Sequence, residues 1–567
     1  MNEHAILHTP NSKYCFAKDE KTVSIRIRVA RGEQLQSLTL IYGSKYTFTD
    51  LQNRAQLTCK YTDRLYDYYI ADIKLDDVRL LYYFEIKTIA GEFYFFSEDG
   101  LTSGFDIDLA YYNAFQLPYI NKADVFETIE GTDNLVAYQI FVDRFRIGKE
   151  NKDKSYINLA VGQKPEHNSF GGGDLLGIAE KLEYIKSLGV NAIYITPIFE
   201  SITNHKYDIT NYYIVDNHFG ENNDLKILVN KAHSLGMKII MDAVFNHSSD
   251  EFDKFEDVIV RGKESPYYNW FIINGDKPTK NPCNYERFAF CTNMPKFNTS
   301  NEEVQKYLID IGLYWLREYH IDGWRLDVSD EVSHDFWKKF RLAIKKENPN
   351  CLIIGENWHD AYPFLQGDEF DSIMNYVFTK ACLDVFAYNA SDSDRFCNKL
   401  NGILMRNTDT VNGMMLNLLD SHDTARFLTL INENLDKFNA AIATLFFFPG
   451  IPCIYYGTEL EMTGNGDPDC RKMFDWSKEN TETKTKSTIK FMANLKTSGC
   501  LKGTNIRIIS EKGCIKIMRI NENEKYTLVM NIDNDEVTFN SKNIIYSNLY
   551  TNNVMQKYGY VVLKENI

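Results

Sequence analysis

Residues 300–328 read SNEEVQKYLIDIGLYWLREYHIDGWRLDV, and the change of hydrophobic period inside this stretch decides the fold. Ser300 and Glu303 form a capping box, and Val304, Leu308, Ile311 and Trp315 fall on one helical face. The run Gly323–Asp327 that follows is a short buried strand ending in an acid. The same unit stands twice upstream. Ile178, Leu182, Ile185 and Leu188 mark a helix stopped by Gly189, before a strand at Asn191–Ile195. Leu225, Leu228, Val229, Ala232 and Leu235 mark another, stopped by Gly236 before Lys238–Ala243.

Helices alternating with short apolar strands imply a parallel β/α architecture, either an open sheet or a closed barrel. Strands are expected at 137–142, 192–195, 238–243, 323–327, 352–356, 372–374, 414–417 and 453–456. Acids and histidines stand at the C-terminal end of one strand after another, where barrel enzymes assemble their sites, and this favours the closed form. The reading is therefore an α/β chain, a (β/α)8 TIM barrel at residues 121–485. An inserted domain, 248–299, follows strand three, because that segment is too long for a simple loop.

The flanks differ in period. Val23, Ile25, Ile27 and Val29 alternate with Ser24, Arg26 and Arg28 as in a half-buried strand, and the stretch from Tyr82 to Phe96 reads as a hairpin turning at Ala90-Gly91-Glu92. Residues 1–120 are thus expected to form an N-terminal β-sandwich. Strand-like composition returns at 515–520 and 526–532, around the polar turn Asn521–Glu524, giving a C-terminal β-sandwich at 486–567.

Composition bounds the partners. The chain has 567 residues, 44% hydrophobic and 25% charged, with a formal charge of −15. That charge repels nucleic acid and anionic membrane, both of which are bound mainly through an excess of Lys and Arg. Aromatic residues, 14% of the chain, serve mostly core and sheet packing. The opening MNEHAILHTP lacks the basic start and apolar run of an export signal, and a cytoplasmic location is expected. The 11 Cys lack metal-ligand spacing and are expected to be free buried thiols.

Three acidic strand ends carry the chemistry: Asp327 in GWRLDV, Glu356 in GENWHD and Asp423 in LLDSHD. Hydrolysis of a glycosidic bond with retention needs one carboxylate to attack the anomeric carbon and one carboxylic acid, ~5–5.5 Å away, to protonate the leaving oxygen. Arg325, two residues before Asp327 and on the same side of the strand, is expected to hold the nucleophile Asp327 ionised. Glu356 has no basic neighbour in sequence and is read as the acid/base. Asp423 then stabilises the charge that develops on the ring. Singly, each of these carboxylates reads more readily as a surface or structural charge, and His247 and His422 as hydrogen-bonded core histidines. Their convergence at strand ends makes the site.

The runs DAVFNH (242–247), GWRLDV (323–328), GENWHD (355–360) and LLDSHD (418–423) resemble, in order and spacing, the signature regions of the α-amylase superfamily, glycoside hydrolase family 13. YQIFVDRF, HKYDITNYY and IYYGTE followed by DPDCR extend the likeness from about residue 130 onward. MPKFN, at 294–298, is similar to a marker of the cyclomaltodextrinase, maltogenic amylase and neopullulanase subgroup. The resemblance implies that Tyr207 stacks on the sugar at the cleavage point, His247 and His422 bond its hydroxyls, and Asp467 and Arg471 contact the same or the next sugar. It also implies that Trp358 and Phe288 line the cleft, and that a homodimer forms through the N-terminal domain. Asp330-Glu331 departs from the usual Asn-Glu of the subgroup, and Asn357 from an apolar residue.

Some relatives carry a calcium loop after strand one. Here that loop reads RIGKENKD, with Lys149 and Lys152 where oxygen ligands are needed, so no metal and no cofactor is expected, although Asp153 and Asp174 remain as possible ligands. The leading expectation is hydrolysis of α-1,4 bonds in cyclodextrins, maltooligosaccharides and pullulan, with some glucosyl transfer. An α-glucosidase or transglycosylase acting on short maltooligosaccharides is the second reading, and a non-catalytic glucan-binding protein the third.

Overall fold

The computed structural model describes residues 1–567. Eight parallel strands at its centre span Ala137–Ile140, Ala192–Ile195, Lys238–Ala243, Gly323–Leu326, Leu352–Gly355, Ser372–Ile373, Leu416–Leu418 and Ile451–Tyr455. Each pairs with its neighbour in sequence, strand eight pairs back onto strand one, and a parallel bridge between Met374 and Leu416 joins strand six to strand seven. The ring is a barrel. Strand seven begins at Leu416 because the helix Asp409–Met414 takes up the residues before it. Strand eight begins at Ile451, straight after Gly450, whose φ of 121° makes the turn that a side chain would block.

The helix Glu302–Tyr319 buries Val304, Leu308, Ile311 and Trp315 as its period requires. Its cap differs from the one expected: Asn301, not Ser300, accepts from the amides of Glu303 (2.8 Å) and Val304 (3.3 Å). Asn is an equally good N-cap, and Glu303 is thereby released to accept from the Trp270 indole at 3.0 Å, which ties the inserted segment to the barrel. That segment contains the helix Asp253–Arg261 and a ladder of single bridges, Phe271–Phe297, Arg287–Pro295 and His247–Lys296. The last of these pins the insertion to the end of strand three.

The N-terminal residues form two antiparallel sheets, of four and six strands, packed face to face over Val23, Ile25, Ile27, Val29, Leu38, Leu40, Leu80 and Phe84. The hairpin Leu80–Thr88/Phe93–Ser97 turns where expected, with Gly91 at φ 88°. The strand Thr22–Ala30 is not half-buried, because the barrel covers its polar face as well: Ser24 and Arg26 are enclosed. Arg26 reaches across to the carbonyl of Asn407 (2.9 Å) and the carboxylate of Asp409 (2.7 Å). Near the C-terminus, six strands from Ile506 to Asn566 form one continuous antiparallel sheet. One face joins the main core, and the other closes a small core of its own around Val529, Met555 and Val561.

None of the 11 cysteines is bonded to another; seven are buried, whereas Cys59 is exposed and Cys283, Cys291 and Cys500 are partly so. No helix is long and apolar enough to cross a membrane.

Candidate active site

Strand register builds the site. Asp242 on strand three pairs with Arg325 on strand four, so the two side chains share one layer of the barrel interior, and Asp327 lies two residues further along on the same side. Arg325 Nη1 donates to Asp242 Oδ1 (2.9 Å) and to Asp327 Oδ1 (2.8 Å). Its Nη2 lies 2.8 Å from Glu356 Oε2. One fully buried guanidinium therefore holds three carboxylates from three adjacent strands, which only a planar fork of donors can do.

This corrects the sequence reading twice. Glu356 lacks a basic neighbour in sequence but has one in space. Arg325, being shared, does not hold Asp327 low: burial pushes the Asp327 carboxyl well above the usual carboxylate range, Arg325 opposes this, and Glu356, Asp242 and Asp423 add to it. Burial likewise raises Asp242 to about 6, against the pull of Arg325 and the Tyr194 hydroxyl. Asp423 is raised by burial too, with Arg325 and Arg471 acting the other way. These three aspartates lie close enough to interact, so their protons belong to the group rather than to any one of them.

Glu356 is aimed by its neighbours. The amide of Val328 donates to its Oε2 at 2.9 Å and the indole of Trp358 to its Oε1 at 3.2 Å. Val328 sits at φ 45°, ψ 43°, a left-handed conformation that is unfavourable for a β-branched side chain. That strained backbone turns its N–H towards Glu356.

A second chain of bonds sets His422. The Gln139 side-chain amide nitrogen lies 2.8 Å from His422 Nδ1, so Nδ1 accepts and Nε2 carries the proton. Nε2 donates to the Tyr207 hydroxyl, which in turn donates to Asp242 Oδ2 at 3.0 Å. Burial holds His422 well below the ordinary histidine range, and Arg471 and Arg325 push the same way, so the imidazole is neutral. His247 is also neutral, lowered by burial to about 3, and its buried Nε2 has no protein partner. A ligand hydroxyl would satisfy it.

A cleft of about 490 Å³ gathers Tyr207, His247, Phe288, Asp327, Glu356, Trp358, Asp423, Asp467 and Arg471. Arg325 and His422 lie beneath this lining and are fully enclosed. Phe288, from the insertion, stacks on His247 with centroids 5.0 Å apart. Trp358 is half exposed and lies flat on Tyr376 at 3.7 Å. Arg471 bonds Asp467 at 2.8 Å and approaches Asp423 at 3.4 Å. All the residues singled out from sequence thus converge on one place.

Others went unread. Gln139, Tyr194 and Tyr376 are polar side chains in or just after apolar strands, and only the inward direction of strand alternation marks them. His205, which opens the run HKYD, also lines the cleft. No sequence pattern signals the backbone of Val328. No group of three or more His, Cys, Asp or Glu is arranged as a metal cage.

The family profile described as "Alpha amylase, catalytic domain" matches residues 139–499, and "Alpha amylase, N-terminal ig-like domain" matches residues 1–121. The chain is 42% identical to a cyclomaltodextrinase of Thermoanaerobacter pseudethanolicus, over 84% of this chain and 83% of that one. It is 41% identical to an intracellular maltogenic amylase of Bacillus subtilis, over 87% and 84%. A solved structure of a cyclomaltodextrinase superposes with a TM-score of 0.90 at 32% identity, covering 100% of this chain and 98% of that one.

Proposed function

The chain belongs to the α-amylase family of glycoside hydrolases, and from that premise we propose that it opens cyclodextrins and cuts short maltooligosaccharides and pullulan at α-1,4 bonds with retention at the anomeric carbon. The observation that carries this reading is Arg325, whose two terminal nitrogens each touch one of the acids Asp327 and Glu356. Two carboxyl groups held on one guanidinium suit the close spacing of a double displacement.

Asp327 attacks the anomeric carbon while Glu356 gives its proton to the departing glycosidic oxygen. Glu356 then takes a proton from water, or from a sugar hydroxyl, as the glycosyl-enzyme ester is cleaved. Asp423 bonds the ring hydroxyls more tightly as positive charge grows on the sugar, while the neutral His422, its Nε2–H given to Tyr207, holds that tyrosine in place. His247 offers its unpartnered Nε2 to the same ring, and Tyr207 stacks on it. The half-exposed Trp358, backed by the buried Tyr376, forms the acceptor platform, where a sugar in place of water gives transfer. Asp467, with Arg471, contacts the donor-side sugar.

Relatives named as intracellular support a cytoplasmic location. The N-terminal sandwich is proposed to join two copies, which light scattering of the purified protein tests. The activity is tested by digesting β-cyclodextrin, pullulan and soluble starch, with product chromatography and NMR of the first reducing ends. Maltose from cyclodextrin and an α-anomer as first product are expected. Glucose as the first product, or a β-anomer, would overturn the assignment.

A further inference from the structure

The loop after barrel strand one, where some members of the family hold calcium, is already occupied by part of the chain. Lys152 is nearly fully buried, and its ammonium lies 3.0 Å from Asp174 Oδ2 and donates to the carbonyl oxygens of His218, at 2.9 Å, and Gly172. An ammonium has three donors and here meets three acceptors, so its bonding is complete. Calcium takes six to eight oxygens, and the centre that would gather them is filled by Nζ.

The neighbours of Asp174 show the same closure. Its Oδ1 accepts from the amides of Gly148 (2.9 Å) and Gly177 (2.8 Å), and its Oδ2 from the amide of Lys149 (3.1 Å) besides Lys152. No lone pair is left for a metal. The Lys149 ammonium turns away to Glu221 (2.8 Å) and Asp224 (3.2 Å). Asp153 accepts only from Ser155, in an exposed turn. The oxygens that a cation would use are thus either spent or pointing elsewhere.

We infer that Lys152 is a resident cation built into the chain, doing for this loop what a divalent metal would do, and that the fold and its activity are therefore independent of calcium. The three acceptors belong to two segments distant in sequence: the glycine turn that runs into the Asp174 cap of the helix Leu175–Ser187, and the turn at His218. A second buried ammonium fixes the other side of that turn. Lys206 lies 2.8 Å from Asp216 Oδ2 and donates to the Ser201 carbonyl at 3.1 Å. Lys206 stands between His205 and Tyr207, both in the cleft wall.

The test combines chelation with a double-mutant cycle. The wild-type chain is dialysed against EDTA, its metal content is measured, and its Tm and kcat/KM on β-cyclodextrin are compared with and without millimolar CaCl2. No bound metal and no change in either quantity are expected. Lys152→Met, which keeps the length and removes the charge, should lower Tm by roughly 5 °C or more, since a buried carboxylate is left uncompensated. Asp174→Asn should lower it as well, and the double variant should lose less than the sum of the two. Stoichiometric calcium in the wild-type chain, a Tm that falls on chelation and returns with CaCl2, or a Lys152→Met protein as stable as wild type would overturn the inference. Should Lys152→Met not be recovered folded, the chelation arm on the wild-type chain decides alone.

Discussion

Gln139 fixes the tautomer of His422: the amide nitrogen of one lies 2.8 Å from Nδ1 of the other, at the floor of the barrel and out of reach of solvent. The consequence is directional, because only an Nε2-protonated ring can donate to the hydroxyl of Tyr207, the ring that faces the sugar. Gln139→Leu removes that constraint while keeping most of the volume. kcat/KM on β-cyclodextrin should fall roughly 10- to 100-fold, the scale on which misorienting a group near the reacting atoms is felt. The protein should remain folded by circular dichroism. Unchanged kcat/KM would show that the tautomer does not matter.

Asp327→Asn separates chemistry from stability. Without the nucleophile, hydrolysis should drop by roughly 10⁴-fold or more. Stability should move the other way. The Asp327 carboxyl is raised in the folded chain by burial, so this group's own contribution to stability is fully present below the unfolded pKa and is lost as pH climbs through the raised folded value. An amide has no such penalty. The variant should therefore melt higher than wild type at pH 7–8, with the difference closing as pH falls towards 4. A lower Tm at neutral pH would contradict this account of the buried acids.

Much of this architecture was legible because period and punctuation agree. The helices ending at Gly189 and Gly236 stop where glycines adopt φ of 86° and 70°, and each is followed by a strand of the expected length. The acids were legible because a charged residue closing an apolar strand has few structural excuses. What stayed hidden depends on three-dimensional proximity. Arg26 reads as solvent-facing in an alternating strand, yet the barrel covers it. Glu356 reads as lacking a base, yet strand register brings Arg325 to it from the next strand. One-dimensional neighbours carry no information about either contact.

Val328 stores strain that the acid/base uses. The left-handed conformation costs a non-glycine residue roughly 1–2 kcal/mol, and a glycine there would be relieved of it while giving back roughly 0.5–1 kcal/mol in chain entropy. Val328→Gly should leave Tm equal to or slightly above that of wild type, whereas kcat should fall several-fold as the N–H that orients Glu356 loosens. KM should change less than kcat, since Val328 aims the acid and only borders the cleft. A clear loss of Tm with kcat intact would mean that the conformation serves packing alone.

The N-terminal sandwich is fastened to the barrel by a charge, and this has a pH signature. Arg26, almost wholly buried, meets Asp409 at 2.7 Å. Burial pushes the Asp409 carboxyl up, but Arg26, Lys60 and Lys18 outweigh it, and the net shift is downward. A lowered folded pKa means stability that is present above the unfolded value, near 4, and lost as pH falls through the folded one. Arg26→Met breaks the pair and leaves Asp409 largely buried with only two lysines near it, a change that typically costs about 3–5 kcal/mol. The variant should melt well below wild type at pH 7, and the gap should narrow below pH 4, where the carboxylate protonates in both. Limited proteolysis should release the first 120 or so residues sooner in the variant, because the covered face of Thr22–Ala30 is what the pair holds down. Equal melting of the two proteins at pH 7 would mean that apolar contact alone seats the sandwich.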